Sequence, residues 1–237
     1  MKKDFTLFEK KIGIIFRDKA LLREAFTHRS FLNEAKERGL THNERLEFLG
    51  DAVLELAVTD FLYKKYPKEP EGELTAYRTG LVNANTLSDV ATRLSMDDFI
   101  LLSRGEAKDT GKARQFILAN AFEAVVGAIY LDQGYAAAEA FIAEYIYPLT
   151  DEVVEKKLWQ DAKSFFQERS QEVEGITPTY RVLSEHGPDH NKEFRVGVYL
   201  NDELVAEGRG KSKQEAEQLA ASAALAAKRW MQKKGKR

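Results

Sequence analysis

The chain has 237 residues, which suits one large domain or two smaller ones. With 43% hydrophobic and 31% charged residues it can build real cores, and 36 basic against 38 acidic side chains leave a balance of −2 that points to no partner by itself. The absence of cysteine excludes disulfides, thiolate zinc sites and cysteine nucleophiles. The start, MKKDFTLFEK, lacks the apolar core of a signal peptide, and no apolar run approaches the ~20 residues of a membrane span, so a soluble, cytoplasmic protein without membrane contact is expected. Charge is unevenly spread. Residues 160–237 carry 14 Lys and Arg against 12 Asp and Glu and end in KRWMQKKGKR, a mildly basic part that suggests nucleic acid.

Up to about residue 157 the pattern predicts helices only. DKALLREAF follows Asp18, a capping residue, and residues 44–65 form a long helix closed by Pro67. Another helix is expected from about 72 to 95, with Leu74, Tyr77, Leu81 and Leu87 toward the core. SRGEAKDTGKAR, 103–114, reads as a loop. QFILANAFEAVVGAIYLD is a strongly apolar helix ended by Gly134, and AAAEAFIAEYIYPLTDEVVEKK continues helical with a kink or break at Pro148. From 160 the pattern changes. A short helix stops at Gly175, and TPTYRVLSEHG begins a run of strands. Phe194, Val196, Val198 and Leu200 alternate with Arg195, Gly197 and Tyr199 before a turn at Asn201–Asp202. A last helix starts at a capping box of Ser212 and Glu215. The expectation is an all-α domain over 1–157, then a small α+β domain of order α-β-β-β-α over 158–237.

Two stretches carry unusual acids. In NERLEFLGDAVLEL, Glu44, Glu47 and Asp51 stand at i, i+3 and i+7 on one helix face, and Glu55 continues the line. Like charges so placed repel by a few tenths of a kcal/mol per pair. Glu123 lies in an almost wholly apolar helix, with Asn120 one turn before it and no Lys or Arg within a turn. A buried carboxylate needs a partner. If the two helices pack together, Glu47, Asp51, Asn120 and Glu123 converge, and an oxygen-only donor set suits a hard cation such as Mg²⁺ or Mn²⁺. Spacing alone leaves the commoner readings open. The stripe can be a solvated face, Glu55 can pair with a lysine such as Lys64 or Lys65, and Asn120 with Glu123 can satisfy a buried network.

NERLEFLGDAVLEL resembles the signature of the ribonuclease III family. AFTHRSF at 25–31 resembles the family's segment just upstream, ILANAFEAVVGAIYLDQG at 117–134 its second acidic motif, and EGELTAYRTGLVN at 71–83 the stretch between them. DAKSFFQERSQ, GPDHNKEF and GRGKSKQEAEQLAA resemble the three regions of a double-stranded-RNA-binding domain, in the bacterial order. The resemblance implies a metal-dependent endonuclease that hydrolyses double-stranded RNA to 5′-phosphate and 3′-hydroxyl ends in rRNA and mRNA processing. It places catalysis on Glu47, Asp51 and Glu123, and metal binding on these three with Asn120. Glu44 and Glu71 would be supporting acids of the cleft. Mg²⁺ would be the cofactor, with Mn²⁺ substituting and no organic cofactor. Two such ions about 4 Å apart would activate water and stabilise the leaving oxygen. Where the family usually has an aspartate, this chain has Asn120 and one charge fewer.

The resemblance also implies a homodimer with Phe48 plugged into the partner subunit, although an ordinary core phenylalanine is the alternative. For RNA it implies minor-groove contacts from Ser164 and Gln167 and from the loop around His190, with Lys211 and Lys213 on phosphates. His28 is as readily structural as functional. The alternative function, favoured by Asn120 alone, is a double-stranded-RNA-binding protein with weakened or lost cleavage.

Overall fold

The computed structural model describes residues 3–35, 39–108, 110–156, 162–188 and 192–230. They divide into two compact units, one up to Trp159 and one from Gln160. The expected boundary at 157/158 lies outside the described residues.

The first unit is helical: α1 (Thr6–Ile12), α2 (Lys19–Ala25), α3 (Arg29–Leu32), α4 (Glu44–Lys65), α5 (Glu71–Val82), α6 (Ala84–Arg93), α7 (Lys112–Gln133), α8 (Tyr135–Tyr145) and α9 (Thr150–Lys156). Asp18 caps α2 by accepting the Ala20 N–H at 2.8 Å. The long helix expected over 72–95 is two helices. Asn83, extended at ψ 160°, accepts the Thr86 N–H at 3.0 Å and donates to the carbonyls of Thr79 and Gly80, so one side chain ends α5 and starts α6. The expected loop at 103–114 holds a short 3₁₀ turn at Glu106–Lys108, and α7 already begins at Lys112. Gly134, at φ +86°, closes α7 in a conformation that disfavours other residues.

By length and composition α7 is apolar enough to cross a bilayer, but it is the core helix of this unit. It buries eleven residues, Phe122, Val125, Val126 and Ile129 among them. Phe8, Phe26 and Phe99 form a mutually packed aromatic cluster elsewhere in the same core. Among the described residues of this unit one acid, Glu9, is buried. Glu9 accepts the Phe16 N–H at 2.7 Å and the Lys19 ammonium at 2.5 Å, so its burial is compensated.

The second unit has the order α10 (Ala162–Glu174), β1 (Thr179–His186), β2 (Glu193–Leu200), β3 (Glu203–Gly210) and α11 (Lys213–Ala227). The strands form an antiparallel sheet of order β1-β2-β3, and Asn201 takes φ +53° in the β2–β3 turn. Val198 and Leu200 pack with Phe166 of α10 and Ala220, Ala221, Ala224 and Leu225 of α11. The alanine run of α11 follows from a close approach. A Cβ on Gly208 would lie 2.2 Å from the Ala220 backbone nitrogen, so the helix rests almost on the β3 backbone. Ser212 caps α11 through the Glu215 N–H at 3.1 Å, while Glu215 accepts from the Lys211 N–H at 2.8 Å.

Candidate active site and RNA-binding surface

The site is made by a crossing of α4 and α7. A Cβ on Gly50 would lie 1.8 Å from the Glu123 carbonyl oxygen, and one on Gly127 would lie 2.3 Å from the Leu46 carbonyl oxygen. The two backbones therefore touch, which only glycine at both positions permits. Glu47 and Asp51 flank Gly50 on α4, and Asn120 and Glu123 precede Gly127 by one to two turns on α7. The crossing brings the four together.

The electrostatics of Glu47 and Glu123 follow from crowding and partial burial. Burial pushes the Glu123 carboxyl up from its ordinary value to about 8, and Asp51, Glu47 and Glu55 push the same way. Burial likewise raises Glu47, with repulsion from Glu44 and Asp51, while a hydrogen bond from Asn120 lowers it. The Asn120 amide thus donates to the Glu47 carboxylate, which an ionised aspartate at this position has no proton to do. Among the described residues no cation pairs with Glu123, in contrast to Glu9. Glu55 is exposed, as the solvated reading expected, and its charge still acts on Glu123; the lysine pairing does not form, because Lys64 and Lys65 pair with Asp60 and Asp151.

The supporting acids stand further out. Glu44 accepts from Arg29 at 3.3 Å, and its N–H donates to His42 Nδ1 at 3.4 Å. Glu71 opens α5 and accepts the Thr75 hydroxyl at 3.0 Å, but is not among the charges acting on Glu47 or Glu123. His28 caps α3, with Nδ1 accepting the Ser30 N–H at 3.3 Å, and has a structural task. Phe48 is 82% exposed, which excludes the core reading.

A hard divalent cation fits this donor set. Its oxygens come from three carboxylates and an amide that lack a cation. Among the described residues no three acids or imidazoles close tightly around one point. Mg²⁺ does not require that, because it keeps several waters and takes one or two carboxylates beside substrate phosphates.

In the second unit Ser164 and Gln167 are exposed one turn apart on α10. Lys163 pairs with Glu217 at 2.6 Å, and its N–H donates to Gln218 at 3.2 Å, which holds the start of α10 beside the first turns of α11. Lys211 and Lys213 are exposed at the N-terminus of α11, where backbone N–H groups and the helix dipole favour anions. The Lys213 ammonium lies 5.8 Å from the centre of the Phe194 ring. His190 lies outside the described residues.

Residues 18–149 match the ribonuclease-III-like family, and residues 162–228 match the double-stranded RNA binding motif. The chain belongs to the ribonuclease III family. It is 46% identical over 220 residues to Ribonuclease 3 of Pelotomaculum thermopropionicum, covering 93% of this chain and 91% of that one. It is also 46% identical over 225 residues to Ribonuclease 3 of Carboxydothermus hydrogenoformans, covering 94% and 95%. The nuclease domain of ribonuclease III from Campylobacter jejuni superposes with a TM-score of 0.56 at 39% identity, covering 61% of this chain and 99% of that one. This ribonuclease III-family chain is accordingly a double-strand-specific endoribonuclease with a C-terminal RNA-binding motif. Sequence reasoning missed Gly50 and Gly127 as the pair that builds its site. The signal was present, one glycine inside each of two long helices.

Proposed function

We propose that this enzyme hydrolyses phosphodiester bonds of duplex RNA at the α4–α7 crossing, with Mg²⁺ as cofactor, leaving 5′-phosphate and 3′-hydroxyl ends. The observation that carries the reading is the convergence of Glu47, Asp51, Asn120 and Glu123 at a glycine-to-glycine contact, uncompensated by any cation among the described residues. Bound there, the metal would supply charge neutralisation at the scissile phosphate and an activated water. Glu47 and Glu123 are the best placed to hold it, with Asp51 and the Asn120 carbonyl beside them. Asn120 also fixes the Glu47 carboxylate in place through its amide N–H. Glu44, paired with Arg29, and Glu71, outside the cluster, would be supporting acids of the cleft.

The second unit holds the duplex by shape. Ser164 and Gln167 would meet minor-groove 2′-hydroxyls, with the loop of His190 in the next groove, while Lys211 and Lys213 meet phosphates. Two chains would pair along α4, where Phe48, Leu56 and Tyr63 are exposed at 82%, 58% and 70% on one face beside the acidic stripe. The nuclease domain of Campylobacter jejuni ribonuclease III has a region involved in dimer formation, which supports this reading. The setting would be cytoplasmic, on duplex segments of rRNA and mRNA precursors. Purified protein incubated with long duplex RNA should cut it with Mg²⁺ and leave it intact with a chelator. Binding without cleavage in either Mg²⁺ or Mn²⁺ would favour the reading in which Asn120 has disabled the site.

A further inference from the structure

The face that α7 turns toward the site opens progressively along the helix. Gly127 is buried at the crossing, Glu123 and Asn120 are half-buried, and Phe116, one turn further out, is 58% exposed. Phe116, Asn120 and Glu123 stand at i, i+4 and i+7, which puts the ring on the stripe that carries the proposed metal-binding groups. Phe116 lies about 6 Å along the helix axis beyond Asn120, at about 1.5 Å per residue, on the side away from the crossing. The apolar residues that follow it, Ile117 and Leu118, are buried in the core. Packing in this unit does not account for the ring, and exposing it forgoes the gain of burial.

We propose that Phe116 is a substrate-contact residue, whose ring packs on the apolar ribose face of the nucleotide next to the scissile phosphate. This rests on reading the acid cluster as the cleavage centre. The occupant follows from continuity. A strand that presents one phosphate to Glu47 and Glu123 carries the adjoining sugar past the next turn of α7. Duplex RNA keeps its bases stacked inside and offers a protein its riboses, 2′-hydroxyls and phosphates. A neutral ring next to an acidic cluster provides contact area there without adding repulsion to the backbone. It would thereby hold the register of the strand over the acids.

The test uses the full chain with Phe116→Ala and Phe116→Tyr, long duplex RNA and Mg²⁺. Kinetic parameters, thermal stability, sedimentation and duplex binding in chelator are measured together. Phe116→Ala should lower kcat/KM about tenfold, as expected for the loss of part of an aromatic side chain's apolar burial. Melting temperature, subunit state and duplex binding in chelator should stay at the wild-type level, and Phe116→Tyr should restore cleavage. Equal kcat/KM for wild type and Phe116→Ala overturns the assignment. So does dissociation into monomers, which would place Phe116 in a contact between copies, or a melting temperature that falls in step with activity. Wild-type protein that does not cut duplex RNA in Mg²⁺ defeats the underlying reading of the acid cluster, a result separable from the others because it appears before any substitution.

Discussion

Replacing Glu123 by Gln tests the electrostatic account of the site without measuring cleavage. In the folded, metal-free protein the Glu123 carboxyl holds its proton up to about pH 8, whereas in the unfolded chain it ionises near its ordinary value of about 4.3. Between these limits the folded state binds more protons, so stability falls as pH rises. The slope from this group is at most about 1.4 kcal/mol per pH unit. Partial solvent access reduces the accumulated loss to the order of a few kcal/mol by pH 8. Glutamine has the shape of the protonated acid and does not ionise. In chelator, urea unfolding followed by far-UV circular dichroism should give near-equal stabilities for wild type and Glu123→Gln at about pH 4, below the ordinary carboxyl value. By pH 8 the variant should be the more stable by a few kcal/mol. Adding Mg²⁺ at pH 8 should narrow the gap, because the cation stabilises the ionised form. Parallel stability–pH curves in chelator would refute the reasoning, since Glu123 would then feel neither burial nor its acidic neighbours.

Asn120→Asp exchanges the donor to Glu47 for a further negative charge; it should lower the melting temperature in chelator and reduce the Mg²⁺ concentration for half-maximal cleavage, and coincident Mg²⁺ titrations would show that position 120 is not at the metal. Wild type should in turn work better with Mn²⁺ than with Mg²⁺, which an initial-rate comparison reads directly. Replacing Lys211 and Lys213 by Ala should weaken binding to all duplexes alike and lower the slope of log affinity against log salt by about two; an unchanged slope would remove both lysines from the phosphate contacts. Phe48→Glu alters a side chain that is 82% exposed, so the fold should survive while sedimentation shows monomers, and a stable dimer would place the subunit contact elsewhere.

Much of the architecture was legible because local chemistry decided it. Asp18, Pro67, Gly134, Gly175 and Ser212 act within one or two turns of their own positions, and the alternation at 194–200 reports a sheet with one buried face. Asn83 was harder to read, because an asparagine inside an amphipathic run is tolerated until its side chain turns to cap the next helix. The acids themselves stood out in the sequence. Their meaning did not, since a charge stripe looks the same whether it faces water or a neighbouring helix. That was decided by a contact between residues 77 positions apart, Gly50 and Gly127, whose missing side chains let α4 and α7 touch. Glu9 is buried with its own lysine and amide, whereas Glu123 is half-buried at that contact, and the charges acting on it among the described residues are those of Asp51, Glu47 and Glu55. Phe48, two residues before Gly50, is left exposed, while Phe122 on α7 is buried. Composition and periodicity report how much a helix must bury, but the direction in which each residue faces depends on what the rest of the chain places against it.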